Sequence, residues 1–388
     1  MPRITYDSTL EFPTLLPDRN THPMKLTVNP KSHAEQKLLR IQSHRRIIIM
    51  TDGFSSPFLA KTAMSLIRYR GDHVTAVLET AADGENAADV FGVGETIPLI
   101  SSLLEAPDAD AVYVGIAPPG GKLPGDWRDL LKQAIRRRLD IVSGLHDFLM
   151  DDPELVALAQ EHGAQLIDVR RNQYRDIADA KPFRQDCIRI HTVGQDCALG
   201  KMVTTLEVEH GLSRRGESAA FVATGQTGIM VSGRGVPIDC VVSDFVNGTI
   251  EHHIRQVEDH DFLLIEGQGS IGHPAYSSVT AGLLHGSAPH GLIYCYEAGR
   301  THVGGIEHFP LHSHQDLIRT YETLANVRHP CRVIGVAVNT RNLTEEQAYA
   351  ELAQARETLG LPVCDVYRTG AGPLVDAAMK LRQEVLSR

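Results

Sequence analysis

The chain has 388 residues, 42% hydrophobic, 22% charged and 5% aromatic, with 33 glycines. That usage excludes a disordered or coiled-coil chain and suits an α/β protein of two domains with many tight turns. Forty-eight acidic against 38 basic residues leave a net charge of −10, so neither nucleic acid nor an anionic membrane is an expected partner.

The one basic cluster, Arg136-Arg137-Arg138, ends an amphipathic helical pattern, where cations belong. Six cysteines lie without a C-x-x-C or regular spacing, which argues against a disulfide framework or a zinc ribbon. No apolar run approaches the ~18 residues of a membrane span, and the first 40 residues lack a secretory pattern. A cytoplasmic location and a reduced state are expected.

Residues 1–43 are polar and broken by Pro2, Pro13, Pro17, Pro23 and Pro30, which reads as an amino-terminal arm. From residue 44 to 170 strands and helices alternate. Arg45–Met50 reads as a strand running into Thr51-Asp52-Gly53, then a helix to about Tyr69. Further strands are expected at His73–Leu78, Ala111–Ala117 and Asp140–Ser143, the last preceded by a helix from Trp127 to Leu139. This rhythm implies βαβ units and a parallel sheet. Ligands of such sheets sit beyond the carboxyl ends of the strands, where Pro118–Gly121 and Gly144–Asp147 fall. Polar residues 171–186 read as a linker. A second α/β series fills 187–388, with strands at 187–193, 218–222, 239–242, 261–265, 291–296, 332–338 and 363–367. Helices are expected at 314–326 and 344–359.

The second series opens with Gly194-Gln195-Asp196-Cys197-Ala198-Leu199-Gly200-Lys201-Met202, with Thr205 further on. A strand, a glycine-rich turn and a helix in that order gather backbone N–H groups and a lysine around an anion. Five residues separate the glycines instead of four, and Met202 stands where a Ser or Thr usually ligates Mg²⁺. A thioether is a poor ligand for that hard cation. The loop therefore suits a phosphate better than Mg-assisted phosphoryl transfer.

The spacing resembles the phosphate loop of dethiobiotin synthetase and its relatives. So do Asp261–Gly269, a strand ending in Glu266-Gly267-Gln268-Gly269, and Ile334–Asn339. The segments Thr224-Gly225-Gln226-Thr227-Gly228-Ile229-Met230, Pro237-Ile238-Asp239, Ser243–Gly248, Glu266–Ser270 and Gly144–Leu149 resemble a closer family. That family is the DgcN-like D-glutamate N-acetyltransferases, once described only as a domain of unknown function. The resemblance spans about residues 44–388. It implies a Rossmann-like amino-terminal domain, a P-loop NTPase-like α/β carboxyl-terminal domain, and acetyl-CoA-dependent acetylation of an acidic amino acid, D-glutamate by preference.

Amine acetylation needs a base and donors for an oxyanion. Asp244 and Glu266, each expected just past a strand end, are the candidates for the base. Gly194–Met202 and Thr205 are the candidates for the cofactor. The N–H groups of Gly225, Gln226, Thr227 and Gly228, with Arg300 as a carboxylate clamp, are the candidates for the substrate. No metal is expected: His302, His308, His312 and His314 straddle Pro310 without a helical pair, and His273 stands alone. A small-molecule substrate and a homo-oligomer are expected. Two other readings stay open: an ATP-dependent ligase or kinase, disfavoured by Met202, and a nucleotide- or CoA-binding sensor.

Overall fold

The computed structural model describes residues 33–387 apart from 57 and 58, so most of the expected arm lies outside the described residues. The first sheet holds β1 (Ile47–Met50), β2 (Val74–Leu78), β3 (Leu99–Ile100), β4 (Ala111–Val114), β5 (Asp140–Ser143) and β6 (Leu166–Asp168). All pairs are parallel and the order is β3-β2-β1-β4-β5-β6. Its helices are α1 (His33–Ser43), α2 (Lys61–Arg70), α3 (Ala87–Phe91), α4 (Trp127–Arg136) and α5 (Pro153–His162).

The second sheet orders as β14-β13-β10-β7-β9-β8, also parallel. Its strands are β7 (Ile188–Gly194), β8 (Ala219–Val222), β9 (Phe262–Ile265), β10 (Gly291–Glu297), β13 (Arg332–Asn339) and β14 (Val363–Cys364). A separate antiparallel pair, β11 (His302–Val303) and β12 (Ile306–Pro310), follows β10. The helices are α6 (Lys201–Arg214), α7 (Gln226–Ser232), α8 (Val246–Arg255), α9 (Ser277–Ser287), α10 (His314–Asn326), α11 (Glu345–Leu359) and α12 (Gly372–Leu386). The expected α/β class and parallel sheets are present in both halves.

The central strand β1 shows why both faces are covered. Its four apolar residues are all buried, Ile47 and Ile49 on one face and Ile48 and Met50 on the other. The Ile48 face packs on Trp127, Leu131 and Leu155 of α4 and α5. The Ile47 face packs on Ile41, Ala63 and Leu66, and also on Ile229 and Met230 of α7. A helix of the second half thus closes the core of the first. Arg70 adds to that junction, its guanidinium donating to the Met230 and His44 carbonyls at 2.9 and 3.0 Å.

Two expectations are corrected. His33–Ser43 is a helix, not part of a loose arm, because Ile41 has a fully buried place to occupy. Asp239–Val242 is not a strand. Ile238–Cys240 and Ser243–Phe245 are 3₁₀ turns, in which the Cys240 N–H donates to Pro237 and the Phe245 N–H to Val242. Only Ile238 and Val241 of that apolar run find the core, while Val242 stays exposed. The short strands β3 and β6 and the β11–β12 pair carry too little periodicity to be read in advance.

The α1 helix is anchored by a carboxylate. Asp140, almost fully buried, accepts from Arg40 Nε at 2.5 Å, His44 Nε2 at 3.0 Å and the Gln165 N–H at 2.9 Å. Burial works against its charge, yet the bonds from His44 and Arg40 hold its pKa below the usual value. Asp140→Ala should lower stability by about 1.5–3 kcal/mol. Chemical denaturation at pH 7 reads the loss, which should shrink as acid protonates the wild-type carboxylate.

Candidate active site

Strand β7 delivers the phosphate loop. Ala198 and Gly200 take left-handed φ values of 56° and 103°, which folds the loop back before α6 begins at Lys201. No side chain caps the amino end of α6, so its first N–H groups stay available to an anion. Lys201 is buried, and its Nζ donates to the Asp196 carbonyl at 2.8 Å; burial lowers its pKa. Beside it Gly267 has no room for a side chain, since a Cβ there would fall 1.8 Å from the Thr192 carbonyl oxygen. Thr205, the remaining hydroxyl on the face of Met202, turns into the sheet. It donates to the Lys201 carbonyl at 2.7 Å and meets the Thr192 hydroxyl at 2.9 Å.

The loop's own carboxylate is also spoken for. Asp196 is fully buried and accepts from Arg300 at 2.8 Å, the Gly304 N–H at 2.7 Å and the Cys197 N–H at 2.6 Å. Arg300, expected to clamp a substrate carboxylate, pairs instead with Asp196 and Glu297. His273, which stands alone in sequence, places Nε2 3.8 Å from Asp196.

Glu266 follows β9 as expected, but it is buried, and one oxygen accepts the Thr224 and Gly225 N–H groups at 2.9 and 3.2 Å. Gly225 therefore serves Glu266 rather than a ligand. A Cβ at Gly228 would lie 2.4 Å from the same oxygen, so the glycine makes room for the carboxylate. Burial raises the Glu266 pKa to about 7, against the two backbone bonds. Thr227 bonds the Thr62 hydroxyl of α2 at 2.8 Å. Gln226 Oε1 accepts from Arg170 at 2.7 Å. Asp244 lies exposed on a 3₁₀ turn, away from any strand end.

The carboxyl-terminal part of the chain, residues 176–375, matches the P-loop domain of DUF1611, described as a domain of unknown function. Residues 80–172 match the Rossmann-like DUF1611_N domain, described in the same words. This chain belongs to the DUF1611 family. It is similar to a DUF1611 family protein from Anabaena variabilis of known crystal structure, with a TM-score of 0.81 and 36% identity over 87% of this chain and 99% of that one. Two relatives are named D-glutamate N-acetyltransferase. The protein from Tritonibacter scottomollicae is 39% identical over 82% of this chain and 93% of its own length. The protein from a Pseudoalteromonas species is 38% identical over 69% of this chain and 80% of its own length.

In this DUF1611 chain the carboxyl edges of the sheets bring in Arg170 and Lys61, which the sequence did not single out, beside His146 of the expected Gly144–Asp147 segment. Arg170, assigned to the boundary of a linker, is buried and joins three partners from both halves: Asp239 at 2.9 Å, Gln226, and the Gly144 carbonyl. Lys61, opening α2, has its pKa lowered by burial first, then by Arg170, with Lys201 adding to it. His146, just past β5, lies 3.5 Å from the Cys240 sulfur. The carboxyl edges of the two sheets thus meet where Arg170 joins Gly144 to Gln226 and Asp239. Among the described residues, two trios bring possible metal ligands together: Asp196, Cys197 and His273, and His146, Asp239 and Cys240. In each, an arginine already occupies the aspartate, which leaves little negative charge for a cation.

Lys201→Ala should weaken inorganic pyrophosphate binding about 10- to 100-fold, the value of one charge-assisted contact; calorimetry on the folded variant measures it. Glu266 gives a second test. Its raised pKa favours the protonated form on folding, so this contribution is present below about 4.5 and fades as pH rises through about 7. Wild type should lose stability relative to Glu266→Gln across that window, as denaturation at a series of pH values would show.

Proposed function

We propose that this protein is an N-acetyltransferase that moves the acetyl group of acetyl-CoA to the amine of an acidic amino acid, D-glutamate. The observation that carries this reading is the 39% identity to a D-glutamate N-acetyltransferase across 93% of that enzyme's length. The site is compatible with it. Coenzyme A carries a pyrophosphate and a 3′-phosphate, and the loop Gly194–Lys201 with the open end of α6 offers N–H groups and a buried ammonium to such a group. Lys61, Arg170 and Lys201 give the site a positive character that suits both an anionic donor and a dicarboxylate acceptor.

The geometry argues against the ligase or kinase reading. Met202 supplies no hard oxygen, and Thr205 is committed to Lys201 and Thr192. Six cysteines without a disulfide fit a reducing compartment, and among the described residues no helix is long and apolar enough to cross a membrane. Of the carboxylates expected as base, Glu266 is locked to two N–H groups and Asp244 stands exposed on a turn. Arg300 serves the acceptor only indirectly, by bracing the loop through Asp196.

The purified protein should release free thiol from acetyl-CoA when D-glutamate is added, with N-acetyl-D-glutamate as the second product. L-glutamate, D-aspartate and D-glutamine should be slower. No amino acid raising thiol release above the hydrolysis background would overturn the reading. Phosphate release from ATP abolished by a chelator would put the ligase ahead.

A further inference from the structure

Glu266 is badly placed to take a proton from a substrate. It is 4% exposed, and one of its oxygens already holds the Thr224 and Gly225 N–H groups. Beside Arg170 stands another titratable group, with an exposed ring. His146 lies on the loop after β5, at the carboxyl edge of the first sheet, and is exposed. Its backbone is fixed, because the His146 and Asp147 N–H groups both donate to the Gly121 carbonyl, at 2.8 and 3.2 Å. Gly121 has to be glycine for this: its φ is 62°, and a Cβ there would sit 2.5 Å from the imidazole Cδ2.

The other half of the molecule backs the ring. Nδ1 is 3.5 Å from Cys240 Sγ. A ring nitrogen, that sulfur and an Asp239 carboxylate oxygen all lie within 4.8 Å of one another. Arg170 holds Asp239 at 2.9 Å and at the same time binds Gln226, the neighbour of Gly225. The imidazole therefore has a carboxylate at hand to stabilise its protonated form, and a thiol to orient it. The sulfur engages Nδ1, and in the tautomer that has the proton there Nε2 carries the lone pair.

We infer that His146 is the general base of the acetyl transfer, and that Asp239 and Cys240 are positioning residues for its ring. The inference rests on the acetyltransferase reading above. The substrate ammonium gives a proton to Nε2, and the freed amine attacks the thioester carbonyl carbon. The new C–N bond forms, the nitrogen sheds a second proton, and the C–S bond breaks. That second proton leaves with the sulfur as the coenzyme A thiol, while the imidazolium returns the first to solvent. The charged and titratable groups around the ring are Arg170, Asp239, Cys240 and Asp147. Burial and then Arg170 lower the imidazole pKa from its usual 6.5, against Asp239 and Asp147, which favours the neutral ring that a base needs. Burial pushes the Cys240 thiol up to about 11, which leaves it uncharged.

His146→Asn should lower kcat by about 10²–10⁴-fold while leaving calorimetric coenzyme A affinity unchanged. In the wild type kcat/KM should fall on the acid side of 6.5, and the variant should lack that limb. Added imidazole should restore part of the rate to His146→Ala, which a purely structural role would not allow. Asp239→Asn should move the acid limb to lower pH, since it removes the charge that stabilises the imidazolium. A His146→Asn enzyme with wild-type kcat and an intact acid limb overturns the assignment and leaves the acetyltransferase reading standing. A wild type that acetylates no amino acid overturns both.

Discussion

A buried guanidinium must be matched by acceptors or it costs more than its neighbours can return, and Arg170 meets that demand with groups from both halves of the chain. The Gly144 carbonyl comes from the loop after β5, Gln226 from the start of α7, and Asp239 from the turn before α8. Satisfying it brings the carboxyl edges of the two sheets together. Its three partners tie the loop after β5, the start of α7 and the Asp239 turn to one another. The apolar counterpart is α7, whose Ile229 and Met230 finish the core begun by β1 and α2. One contact between the halves is polar and the other apolar.

Within the second half, close backbone approach is the controlling condition. Gly267 lies against the Thr192 carbonyl where no side chain fits, and that approach presses β9 against β7 under Lys201. The lysine is buried beside that contact. Its ammonium is held by the Asp196 carbonyl, and its charge is made more costly by burial. An arriving phosphate would relieve that cost. Asp196 balances the loop from the far side through Arg300 and the Gly304 N–H. The loop is therefore braced from two directions before any ligand arrives, which reduces the ordering cost of binding.

The carboxylates divide by environment. Glu266 is dry and locked to two N–H groups, so it shapes the turn at Thr224–Gly228. Asp239 is paired with an arginine and lies beside an imidazole, which suits it to steadying a proton that comes and goes. Asp244 stands in solvent on a turn. Position at the end of a strand is thus a weaker guide to chemistry than what surrounds the group.

The amino-acid sequence by itself determined the parallel α/β class, the two series of alternating elements and the phosphate loop. These follow from short-range rules: apolar runs such as Ile47–Met50, helix-length patterns between them, and glycines at fixed offsets around Lys201. Met202, one residue beyond the lysine, is a poor ligand for magnesium by type alone. The tertiary structure alone decided which polar groups remain available. Gly225 and Arg300 read as ligand-binding residues by type, yet each is taken by a partner far along the chain: Glu266 and Asp196. Nothing local announces the partners of Arg170 and His146, which lie 69 and 94 residues away. Hydrogen-bond satisfaction and burial are properties of the whole packed chain, and no local pattern encodes them.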